Sequence, residues 1–205
     1  MKKGIFVIAL SAMWLTTVHA GTYESELGFR IDLPSHWEII NKKTLKNKPE
    51  ESSHAQDDKL KHIEESLLDK NKKELLAGKA EIYENVSAQY DNFNDNIYVQ
   101  RGHGEVKPLK ALEKQICNVQ LLQAAFSRSF GRAVNVYSCK VVKVSSYDAI
   151  FLDFDGAPPG TRSLRYQIWK PSNDIIILTL TAKNKKLAIL REEFTAIIYS
   201  FEVTK

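Results

Sequence analysis

Three sets of residues in this chain could do chemistry: a histidine between two glycines, two aspartates ahead of a glycine-containing loop, and a pair of cysteines. Gly102-His103-Gly104 puts an imidazole on backbone that is free to move. A zinc site or an activated nucleophile needs several such groups converging. No cysteine or acidic partner stands at ligand spacing from His103, and His36, His54 and His62 read as surface positions. Asp153 and Asp155 before Gly156 match part of a calcium loop, but the other ligand positions are missing, and aspartates at strand ends commonly serve turns. The sequence contains no GxSxG, no HExxH and no phosphate-cradling glycine loop. The residues therefore assign no catalytic group, no metal site and no cofactor. Gly102, His103, Gly104 and Asp155 stand as candidates for a ligand or partner loop.

Cys117 and Cys139 lie 22 positions apart. An even cysteine count in an exported chain favours a disulfide, worth about 3 kcal/mol for a loop of this length. Two buried thiols that never meet are the competing reading.

Export is expected from the first twenty residues, MKKGIFVIALSAMWLTTVHA. Lys2 and Lys3 form a charged start, Gly4 to Leu15 an apolar core, and Val18-His19-Ala20 a cleavage site, so residues 1–20 read as a signal peptide and Gly21 as the mature start. The apolar core is shorter than the roughly 20 residues a spanning helix needs, and no transmembrane segment is expected after cleavage. The expected location is the periplasm or the secreted fraction. Removal of Lys2 and Lys3 takes the net charge from +4 to +2, an excess too small to imply nucleic acid or an anionic membrane.

The elements that would position these groups form one domain over residues 21–205. Leu27, Phe29, Ile31 and Leu33 alternate, predicting a strand over Glu26 to Leu33. Trp37 after Pro34-Ser35 reads as a core lid. A polar connection leads to a charged helix, Leu60, Ile63 and Leu67 on one face, capped by Asp57 or Asp58; it makes a helical insertion at about 55–78. Ile82, Val86, Ala88 and Tyr90 predict a strand from about Asn85 onward, the earlier part being open to helix. Asn85-Val86-Ser87 matches a glycosylation sequon. Ile97 to Val99 is a short strand ended by Gly102-His103-Gly104. A helix runs from Pro108 through Phe130 to Gly131, and strands follow near Val134 and Phe151. Leu164 to Trp169 and Ile175 to Thr181 form two more strands, with Leu187 to Phe201 as an amphipathic helix. Tyr90, Tyr98, Tyr166 and Trp169 read as core aromatics.

With its elements in this order, the chain resembles the PsbP-like family. The resemblance rests on GFRIDLPSHWEII, on DNIYVQ before the middle helix, and on the ending IIILTLTAKNKKLAILREEFTAIIYSFEV. It implies an α+β fold, an α/β/α sandwich with a central, mainly antiparallel sheet flanked by helices. It also implies binding or assembly rather than catalysis, with no common active site to carry over. The expected function is an exported, non-enzymatic binding or assembly protein whose partner is another envelope or host protein. The alternative is a secreted hydrolase or small-ligand binder using the loops near His103 and Gly156.

Overall fold

The computed structural model describes residues 20–46, 72–87, 93–103, 110–171 and 174–204. Seven strands form the main sheet, in the order β3-β4-β5-β9-β8-β7-β6. They are β3 (Trp37–Ile40), β4 (Ala80–Asn85), β5 (Asn96–His103), β6 (Val136–Val144), β7 (Tyr147–Asp155), β8 (Thr161–Trp169) and β9 (Asp174–Lys183), and every pair runs antiparallel. A second sheet joins β1 (Ala20–Ser25), β2 (Phe29–Pro34) and β10 (Glu202–Val203) in the order β1-β2-β10.

Each face of the main sheet carries a helical layer. The helix Leu187–Tyr199 buries Leu187, Leu190, Phe194, Ile197 and Ile198 on the inner face. There it shares one core with Ile168, Ile176, Leu178 and Leu180, and with Phe29 and Ile31 of the small sheet. Each such side chain contributes about 1.5–3 kcal/mol on burial. On the outer face the helix Val119–Phe130 sets Leu122, Phe126 and Phe130 over Ile150, Leu152 and Phe154. The fold is therefore α+β, a mainly antiparallel sheet flanked by helices, as the PsbP-like resemblance implies.

Several local expectations need correction. The strand predicted over Glu26 to Leu33 begins only at Phe29, because residues 26–28 turn: Gly28 takes φ 83° and its N–H meets Ser25 O at 3.1 Å. That turn allows Ala20–Ser25, a stretch the sequence assigned to no element, to pair back along β2. The strand around Phe29 lies outside the main sheet because it pairs with β1 and β10, and Phe29 stacks on Phe201 with ring centroids 5.2 Å apart. β4 starts at Ala80 and stops where the other strand was expected to begin. Gly78 at φ 70° ends the helical turn 72–76, and the Asn85 side-chain oxygen takes the Ser87 N–H at 3.0 Å.

The long middle helix is broken. A 3-10 turn (Lys110–Leu112) leads into the helix Glu113–Ile116, and Asn118 then starts the next helix by accepting from Leu121 N at 3.1 Å. Gly131, at φ 64°, ends it as expected. Pro108, Gly104, Tyr90, His54, His62 and residues 55–71 of the charged insertion lie outside the described residues.

Candidate functional site

The helix Val119–Phe130 does not cover the outer face evenly. Val136, Ile150, Leu152 and Phe154 form an apolar patch on the β6–β7 side, and Ile40, Leu75, Ala80 and Ile82 form another on the β3–β4 side. Between them runs a polar stripe. Strand alternation and the pairing register place Cys139, Leu152, Arg165, Thr179, Tyr98 and Ile82 in one row across six strands. Gln167 and Ser163 flank Arg165 along β8.

Arg165 is the charged centre of this stripe. Its Nε donates to Thr179 Oγ1 at 3.0 Å. Its guanidinium carbon lies 5.1 Å from the Phe154 ring centroid and 5.7 Å from that of Phe126. Among the described residues no carboxylate pairs with it. Burial lowers its pKa to about 10, and no acidic neighbour offsets that loss. Further along β8, Trp169 Nε1 is buried without an acceptor among the described residues.

The helix above this stripe is thinly seated. None of residues 119–130 is fully buried, and Val119 and Leu121 point outward, Leu121 with 67% of its surface exposed. Its N-terminal side is held by the disulfide between Cys117 and Cys139, whose Cα atoms stand 5.3 Å apart. Glu113 Oε2 also accepts Val141 N at 2.7 Å, closing one donor on the outer edge of β6.

The sequence candidates fall at separate places. His103 ends β5 opposite Asp174, with its Nδ1 3.9 Å from Asp174 Oδ1 and its side chain 75% exposed. Asp155 ends β7 opposite Arg162, which faces Ala182. Asp174 and Ala182 lie at opposite ends of β9, so His103 and Asp155 are about 27 Å apart along the strands. Gly102 packs on Ile175 and Ile177 inside β5.

Asp155 accepts from Asn135 N and Nδ2, each at 2.9 Å, and from Tyr137 OH at 2.7 Å. Burial opposes its charge, but these hydrogen bonds outweigh that and hold its carboxyl below the ordinary range. Asp153 receives Arg162 Nε at 2.5 Å, Arg162 Nη2 at 3.0 Å and Arg191 Nη2 at 2.7 Å. His36 is half-buried rather than free on the surface: its Nε2 lies 3.0 Å from Glu193 Oε1, which also accepts from the Nε1 of buried Trp37 at 2.5 Å.

A shallow cleft of about 410 Å³ beside the small sheet is lined by groups that already satisfy one another. Thr22 Oγ1 donates to Asp32 Oδ1 at 2.8 Å and Arg30 Nε to Glu202 Oε2 at 2.7 Å. Among the described residues no three metal-ligating side chains converge, and no helix is long and apolar enough to cross a membrane. The sequon residue Asn85 is buried, its side chain occupied with Ser87.

No family model and no curated protein matches the chain. Among solved structures it is similar to the solution structure of cyanobacterial PsbP from Synechocystis sp. PCC 6803, with a TM-score of 0.56 at 11% identity over 94% of this chain and 97% of that one. The fold is PsbP-like. The yeast Ran-binding protein Mog1p aligns at TM-score 0.47 and 10% identity over 91% and 97% of the two chains. A Pseudomonas aeruginosa protein of unknown function, PA94, described as a putative regulator, aligns at 0.46 and 10% over 91% and 98%. Within this PsbP-like frame the polar stripe at Arg165 was missed from sequence. Its signal is Arg165, Gln167, Thr179 and Thr181 at every second position of two strands that prove to be central.

Proposed function

We propose that the protein acts after export, in the periplasm or outside the cell, as a non-enzymatic binding or assembly protein that contacts another protein through the outer face of its main sheet. The observation that carries this reading is the seating of the 119–130 helix, which buries no residue fully and turns Val119 and Leu121 to solvent. A helix that leaves its own apolar side half-covered while presenting further apolar groups outward is suited to receive a partner. The polar stripe beside it supplies directional groups at Arg165, Gln167 and Thr179. A hydrolase drawing jointly on His103 and the 156–160 loop is disfavoured by their separation across the sheet.

Crosslinking in the native envelope, read by mass spectrometry, is expected to return one recurrent partner joined through lysines near this face, such as Lys114. Recovery of uncrosslinked monomer alone across growth conditions would overturn the reading. Alanine at His103 or Asp155 is expected to leave partner recovery unchanged.

A further inference from the structure

We infer that the guanidinium of Arg165 is a seat for a carboxylate carried on an apolar body. This rests on the outer face being the binding face.

Among the described residues Arg165 is a cation without a counter-charge. Its neighbours in the sheet, Leu152, Ser163, Gln167 and Thr179, are all uncharged. No carboxylate among the described residues pairs with it. An unpaired charge held in apolar surroundings is unfavourable, and an anion arriving beside it recovers that loss. Its surroundings also select the anion. Nε is engaged by Thr179 Oγ1 at 3.0 Å, which fixes the guanidinium plane and leaves the two terminal nitrogens as paired donors. That pair matches the two oxygens of a carboxylate. The rings of Phe126 and Phe154 stand on the same side, with half-buried Leu122 and Ile177 in the same cluster. One cation and several apolar groups suit a monoanion with a hydrocarbon or aromatic body better than a multiply charged phosphate. A fatty acid and a peptide chain terminus share this chemistry.

The test follows the Arg165 Nε–Hε resonance of purified protein by NMR. The probes are decanoate, decanamide, and a phenylalanine-ended tetrapeptide with a free or an amidated C-terminus. A saturable shift with an acid probe, and none with its amide, is expected. Arg165→Met should weaken acid binding by roughly tenfold or more, followed on neighbouring amides. Its melting temperature should be unchanged or higher, since an unpaired charge has been removed. Should Arg165→Met fail to fold, Arg165→Lys keeps the charge, loses the paired donors and should still bind more weakly than wild type. A response to decanoate alone assigns a small amphiphile, and a response to the peptide alone assigns a chain terminus. Silence with both acids, or equal response to acid and amide, overturns the inference. No partner protein is needed, so a failed crosslinking search and a failed titration are separate results.

Discussion

Ser25 Oγ donates to Glu81 Oε2 across 2.9 Å and so ties the small sheet to β4 of the main one. Tyr83 OH at 2.8 Å and Tyr23 OH at 3.1 Å also donate to this carboxyl, and Asn41 Nδ2 donates to Tyr23 OH. Burial is the largest influence on Glu81 and raises its pKa; the hydrogen bonds pull the other way without reversing it. Beyond the two tyrosines, the nearby ionisable groups are Glu26 and its partner Lys43. Folded Glu81 thus keeps a proton that the unfolded chain releases. Its contribution is full below the ordinary glutamate range and is lost as pH rises through that range toward the raised value, at about 1.4 kcal/mol per pKa unit. Urea unfolding at a series of pH values should show this fall, and Glu81→Gln should flatten it. An identical slope in both proteins would show that Glu81 is not its source.

The disulfide should act locally. Its 22-residue loop is worth about 3 kcal/mol. The helix that follows has no fully buried side chain to hold it in place. Reduction, or serine at both positions, should speed hydrogen exchange over residues 113–130 and along β6 while the 187–199 helix stays protected. Uniform loss of protection would mean that the bond supports the whole domain instead.

Asp153 is shared by two arginines, and its side chain is nearly covered whereas theirs are partly exposed. Asp153→Ala leaves both cations facing a vacated buried position and should cost about 2–4 kcal/mol in chemical denaturation. Arg191→Ala removes the more exposed partner and should cost under about 1 kcal/mol. Equal costs for the two would contradict this ordering.

Gly156 has no room for a side chain. A Cβ there would overlap Thr161 Oγ1 and press on Thr181 and Ser163 at 3.1 and 3.2 Å. Thr161 cannot easily withdraw, because its hydroxyl donates to Pro158 O at 2.6 Å and closes the loop. Gly156→Ala should lower the melting temperature by several degrees, whereas Gly21→Ala, in open surroundings, should leave it unchanged.

Periodicity made the last forty residues readable, since Leu187, Leu190, Phe194 and Ile197 recur at helical steps and their helix buries one clear side. Ala20–Ser25 lacked any alternation and abutted the stretch expected to be a leader, so only its pairing with β2 reveals it as a strand. β4 was misplaced because a strand buried on both faces has no solvent side to betray its period, and it carries Glu81 and Glu84 as well. The break at Cys117-Asn118 is a capping event inside an otherwise continuous apolar stripe. Nothing in the sequence singles out Arg165, because its significance depends on Phe126, contributed by a helix some forty residues earlier in the chain.

The short strand Glu202–Val203 has a consequence for the order in which the molecule can be completed. It pairs with Arg30 and Phe29, and Phe201 beside it stacks on Phe29. The β1–β2 hairpin therefore waits for residues far downstream before its apolar side is closed. The small sheet therefore closes through contacts far apart in sequence, which form later than local ones.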